Sequence, residues 1–242
     1  MPSDLERPRW KGQRPWLEMW FAVVHDAGGR RALWIRQTLF VPPKGEGRAT
    51  IWGAWFDADA QPVTRAAKRL VALDQAVVGT APLIQIEDSW LSSDGALGQV
   101  PGLAWDVRWT GGRQVHDDVA SWLPAPTHAQ PIRHDADATG AVTIDGQRLE
   151  IAGRASAIHL WGKRRMPTLH WIYAPWLGDG SLEIQAISLS DRLAMGLASL
   201  RLDDHSGAGP RSQESGLHKR PTSLTGRPAT SAHPSGLITS TV

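Results

Sequence analysis

The chain has 242 residues, a formal charge of +2, 41% hydrophobic and 21% charged residues, and no cysteine. This is the composition of an ordinary globular protein, long enough for one large β domain or two smaller ones. The small charge argues against nucleic acid as a partner, and the missing thiols exclude a disulfide framework, a thiolate metal site and a cysteine nucleophile.

Residues 1–15 form a polar arm carrying Asp4, Glu6, Arg7, Arg9, Lys11 and Arg14. It has no apolar leader, and no later run approaches the roughly 20 apolar residues that span a bilayer. A cytoplasmic location is therefore expected. From Trp16 the chain reads as strands. Trp16 to Val24 and Ala32 to Val41 flank an Asp-Ala-Gly-Gly turn and predict a hairpin. Pro42-Pro43 ends it, and Ala49 to Phe56 is a third strand. Thr64 to Leu73 is ambiguous, because its Ala and Arg content favours helix while its neighbours read as strand. Pro82 to Leu91 and Leu103 to Thr110 are further strands, the latter with Trp105, Val107 and Trp109 on one face and Asp106 and Arg108 on the other.

The prolines between Ser121 and Asp137 predict a long connection, placed at 124–138, between a first β half (16–123) and a second, partial one (139–204). Asp145-Gly146 is a favoured hairpin turn between Gly140 to Ile144 and Arg148 to Ala152. Ala155 to Trp161, His170 to Ala174, Ser181 to Leu189 and Arg192 to Leu202 complete the expected strands. Residues 205–242 are mostly Ser, Thr, Gly and Pro without Trp or Phe, a composition that predicts a disordered tail. The fold class expected is all-β.

Aromatic usage is the most telling part of the composition: thirteen Trp against one Tyr and three Phe. An indole offers a large apolar face, one N–H donor and a π cloud that attracts cations. Many indoles on short strands suit either plain core packing or a pocket lined with them.

Four segments carry a family likeness: Trp52-Gly53-Ala54-Trp55-Phe56, Asp88-Ser89-Trp90-Leu91, Trp105-Asp106-Val107-Arg108-Trp109, and His159-Leu160-Trp161-Gly162 followed by Leu169-His170-Trp171-Ile172-Tyr173. Over residues 16 to about 203 the chain resembles the lipocalin-like superfamily of AttH-type proteins, hydroxyneurosporene synthase (a carotenoid hydratase) and tocopherol cyclase-like proteins. The resemblance implies two calycin-like β-barrel halves, the second incomplete here, with a hydrophobic pocket. It also implies non-redox chemistry on isoprenoid or polyketide-like substrates, with neither metal nor cofactor. By motif position, His159, Trp161, Trp171 and Tyr173 match family pocket residues. The chain departs from the hydratase pattern after Tyr173, where Ala174 and Pro175 stand in place of an acidic residue.

Protonating an alkene needs a protonated acid, a dry site and a way to stabilise a carbocation, which indole faces supply. His159, Asp88 and Tyr173 are the expected catalytic groups, with Asp106 and Glu18 as further candidate acids. Trp161, Trp171, Trp105, Trp109, Trp55 and Trp20 are the expected substrate contacts. Asp106 has Arg108 on its own face, so a structural ion pair is the simpler account of it. No metal-ligand spacing, phosphate loop or nucleophile elbow occurs, His116-Asp117-Asp118 reading as solvated loop. The functional expectation is a hydratase or cyclase acting on a hydrophobic small molecule; the alternative is a carrier of the same fold without turnover. Lys163-Arg164-Arg165 is a basic turn that suits peripheral membrane contact.

Overall fold

The computed structural model describes residues 7–112, 127–163, 168–177, 180–190, 193–202 and 238–241. The chain divides into two compact units, Met1–Arg165 and Met166–Val242. In the first, hairpin follows hairpin: β1 (Trp16–Asp26), β2 (Arg31–Val41), β3 (Arg48–Asp57), β4 (Thr64–Ala72), a 3₁₀ turn (Leu73–Gln75), β5 (Ala76–Val78), β6 (Ile84–Ile86), β7 (Ser89–Ser92), β8 (Gly95–Val100), β9 (Leu103–Thr110), β10 (Thr127–Ile144) and β11 (Gln147–Gly162). They form one eleven-stranded sheet in the order β4-β3-β2-β1-β11-β10-β9-β8-β7-β6-β5. The sheet curls into a nearly closed barrel. Its two edge strands, β4 and β5, are joined by the 3₁₀ turn. Arg65 on β4 reaches Asp145 at 2.7 Å in the β10–β11 turn, and Arg69 reaches Asp88 at 2.5 Å before β7.

Local sequence explains the turns. Asp26 ends β1, and its Oδ1 accepts the backbone N–H groups of Arg30 and Arg31 at 3.0 Å, so its short side chain closes the predicted first hairpin. Asp145 and Gly146 both have positive φ, 49° and 87°, the geometry of the two-residue turn that matches strand twist. The alternation read in Leu103 to Thr110 holds throughout β9: Trp105, Val107 and Trp109 are buried, while Asp106 and Arg108 are exposed. The ambiguous Thr64 to Leu73 stretch is strand β4, because pairing with β3 outweighs its weak helical propensity.

The expected connection at 124–138 is corrected from Thr127 onward. That stretch is the first part of β10, paired with β11 from Thr127 and with β9 from Asp137. Proline cannot donate to a ladder, and Pro131 sits where the register shifts between Pro131 and Arg133, a bulge that tolerates it. The strands expected to open the second half therefore belong to the first sheet, and the division falls after Arg165.

The second unit is a four-stranded sheet in the order β14-β13-β12-β15, from β12 (Thr168–Leu177), β13 (Gly180–Ser190), β14 (Leu193–Leu202) and β15 (Ile238–Thr241). Its last strand comes from the end of the expected tail and pairs with His170–Tyr173. The rest of that tail, 205–237 and 242, lies outside the described residues, as do His116-Asp117-Asp118 and Arg164-Arg165.

Side chains at alternate positions fill the barrel: Trp20, Ala22 and Val24 from β1, Leu33, Ile35 and Leu39 from β2, Ile51 and Trp55 from β3, Trp105 and Trp109 from β9. Gly53 on β3 makes room for Trp105, since a Cβ there would lie 2.6 Å from its Cζ3 and 3.0 Å from Leu103 Cδ2. Gly53→Ala is therefore expected to overpack the interior and lower stability by about 1–3 kcal/mol, read from the midpoint of urea unfolding.

On the outer face, Phe21, Arg36, Trp52 and Lys68 stand directly opposite one another across β1 to β4. The Arg36 guanidinium lies 4.2 Å, and the Lys68 ammonium 4.8 Å, from the Trp52 ring centre. Strand alternation puts Trp52 on the outer face, opposite to the inward Ile51 and Trp55, and the cation–π ladder holds it there.

Candidate functional site

At one end of the barrel the inward rows of β10, β11 and β1 bring polar and indole groups together. His159 on β11 stands opposite Trp20 on β1, and Trp161 stands opposite Glu18. Opposed residues of antiparallel strands share a face, so all four point inward. Glu18 and His159 have no exposed surface. His159 Nε2 lies 2.8 Å from Glu18 Oε1.

The remaining capacity of the Glu18 carboxylate is filled by the polar arm and its own strand. Arg9 N–H donates to Oε1 at 2.6 Å, Trp10 N–H to Oε2 at 2.8 Å, and Trp16 Nε1 to Oε2 at 2.9 Å. With three N–H groups already donating, an ionised carboxylate acting only as acceptor fits the arrangement, and the imidazole then donates through Nε2.

Indoles wall the imidazole. Trp20 stacks on His159 with ring centres 4.7 Å apart and planes 8° apart, and Trp161 lies 4.7 Å away, tilted by 37°. His128 stacks on the other part of Trp161 at 5.5 Å. The Arg9 guanidinium sits 5.3 Å from the Trp161 ring centre, and Trp10 packs against Trp16, Val41 and Trp161. The arm thus covers this end of the barrel.

The structure unites some expected site residues and separates others. His159, Trp161 and Trp20 meet in one cluster with Glu18. Trp55, Trp105 and Trp109 belong to the apolar core of the same barrel, where Trp109 Nε1 donates to Ser93 O at 2.8 Å. Trp171 and Tyr173 are buried on one face of β12 in the second unit. Asp88 is a correction. Its side chain is 54% exposed, and it binds Arg69 and, at 2.6 Å, Gln99 Nε2. The Arg69 hydrogen bond holds its carboxyl below the usual aspartate range. A carboxylate held ionised at the surface does not donate a proton to a buried alkene. Asp106 is likewise exposed, 4.0 Å from Arg108, as its simpler account had it.

Sequence reading missed three contributors. Arg9 and Trp10 belong to what reads as a polar arm, and His128 falls in the expected connection. Nothing in their local pattern signals the site; only the return of the arm over β1 and the extension of β10 bring them there.

No protein-family model matches the chain. It is 29% identical over 191 residues to two uncharacterized proteins of Mycobacterium tuberculosis, from strains CDC 1551 and H37Rv. The match takes in 72% of this chain and 54% of theirs, so the chain spans about half the length of the curated relatives it matches. Among solved structures it is similar to a candidate AttH protein of Nitrosomonas europaea, with a TM-score of 0.61, 14% identity, and coverage of 79% of this chain and 66% of that one. The fold is AttH-like. At that identity the likeness concerns architecture alone, and function has to be argued from the site.

Proposed function

We propose that the protein takes a lipophilic molecule of the isoprenoid or polyketide class into the barrel and performs non-redox acid–base chemistry on it, as hydration or ring closure, at the Glu18–His159 pair. The observation that carries this reading is a fully buried carboxylate–imidazole hydrogen bond between two indole faces. Glu18 fixes the orientation of the ring through this hydrogen bond, as a carboxylate does for a catalytic histidine. The nitrogen that Glu18 does not hold delivers a proton to an alkene carbon. Trp20 and Trp161 lie where their π faces stabilise the resulting cation, by about 2 kcal/mol or more in a dry site. Water adding to the cation, or loss of a proton from the carbon next to a ring-closed cation, returns a proton to the imidazole, so protons balance and no electron carrier is needed. The likeness of the His159-Leu-Trp161-Gly162 segment to carotenoid hydratases and tocopherol cyclase-like proteins points the same way. In this reading the ligand displaces the Arg9–Trp10 arm to reach His159.

One observation favours a second reading, carriage without turnover. Both oxygens of Glu18 are already engaged and neither member of the pair meets solvent, which is also how a purely structural pair is built. A polyene panel separates the two. Wild type is expected to convert at least one member to a product heavier by one water or to a cyclic isomer, and His159→Gln to bind it, by tryptophan quenching, without converting it. Conversion unaffected by His159→Gln removes the imidazole from the chemistry. Saturable binding with ligand recovered unchanged from wild type establishes the carrier.

A further inference from the structure

Inside the barrel, Gln37 on β2 has no exposed surface, and among the described residues neither its Oε1 nor its Nε2 has a hydrogen-bond partner. It stands directly opposite Trp20, which in turn stands opposite His159. The three therefore form one inward row across β2, β1 and β11. The alternation of β2 confirms the direction, since Leu33, Ile35 and Leu39 belong to the barrel core. In the same row Trp20 Nε1 is buried with no partner among the described residues.

A buried amide that bonds to nothing is costly, and native proteins rarely keep one without a use. A leucine or methionine would fill the same space with no polar atoms. We infer that Gln37 and Trp20 form a subsite for a hydroxyl group, and that the ligand is a lipophilic alcohol. The open valences dictate the choice. Trp20 Nε1–H needs an acceptor, the amide N–H groups need an acceptor, and the amide oxygen needs a donor. A hydroxyl is the smallest neutral group that meets both needs. A ketone or ether accepts only and leaves the amide oxygen orphaned. A carboxylate leaves it orphaned too, and brings a charge among apolar side chains. The conclusion does not depend on which way the amide is turned, because both of its ends are open. Apolar contact for the carbon skeleton comes from Leu39, Ile35 and Ile51.

This inference rests on the reading that a lipophilic molecule enters the barrel, and the test keeps the two apart. Farnesol and farnesene share a skeleton and differ in the hydroxyl. Each is titrated against the full chain, wild type and Gln37→Met, by tryptophan fluorescence, and the thermal midpoint of both proteins is recorded. Wild type is expected to bind farnesol about tenfold more tightly, the worth of roughly one net hydrogen bond. In Gln37→Met that preference is lost, while the midpoint is unchanged or raised. Equal binding of the two probes by wild type overturns the hydroxyl subsite and leaves the lipophilic reading standing. A preference that survives in Gln37→Met also overturns the subsite, as does a lowered midpoint with the preference intact, which assigns the amide to the fold. Binding of neither probe by folded wild type overturns both readings. The wild-type comparison decides the question even where the variant folds poorly.

Discussion

Glu18→Ala is expected to cost about 3–5 kcal/mol of folding stability, the range found when one partner of a buried pair is removed. Four donors converge on this carboxylate: the backbone N–H groups of Arg9 and Trp10, Trp16 Nε1 and His159 Nε2. Truncation leaves all four without their acceptor, and the imidazole and indole among them are buried. Glu18→Gln is expected to cost less, because the amide oxygen still accepts while its NH₂ opposes the donors on the other side. Urea unfolding of the two variants gives the order directly. A loss below about 1 kcal/mol in Glu18→Ala would mean that the arm and the barrel end are held by packing alone. The same experiment bears on function, since the pair that orders the barrel end is also the proposed reaction centre.

Stability is expected to fall by about 3 kcal/mol, from one imidazole, as pH drops from 6.5 to below 4. His25 on β1 is 2% exposed, and burial pushes its pKa down to about 4, with Asp26 opposing the shift. Between those pH values the unfolded chain binds a proton that the folded chain does not, so stability rises with pH across that window and is complete above about 6.5. The contribution disappears as acid forces a charge into the strand. His25→Gln removes the titrating group and is expected to flatten this part of the curve, leaving only the slope due to carboxylates. Thermal midpoints of both proteins between pH 4 and 7.5 measure the difference, and parallel curves would assign the acid sensitivity elsewhere.

Elements with strong local signals were legible in the sequence. The Asp26 and Asp145-Gly146 turns dictate their hairpins by backbone chemistry, and the two-residue alternation of Leu103 to Thr110 dictates which face of β9 is buried. Pro131 misled because proline was weighed without the bulge that accommodates it, and the result was a linker where a long strand runs. Asp88 misled for a different reason. Its partner Arg69 is nineteen positions away, on a strand whose helical composition hid its pairing. Glu18 shares strand parity with Trp16 and Trp20, which placed it on their face, but parity gives no information about β11. Its contact with His159 spans 141 positions and depends on a sheet order that local sequence does not encode. Gln37 lacked any sequence signal, since an amide inside a strand reads as a polar residue on the outer face until the register of β2 against β1 turns it inward.

An indole NMR titration of the full chain, with each tryptophan N–H assigned and farnesol added to saturation, reads ligand entry at the Glu18–His159 pair. The resonances of Trp16, Trp20 and Trp161 are expected to move together with one dissociation constant, while those of Trp52 and Trp90, held on the outer face under Arg36 and Arg108, stay in place. Shifts confined to Trp52 and Trp90, or none at saturation in folded protein, would contradict a lipophilic ligand at the Glu18–His159 pair.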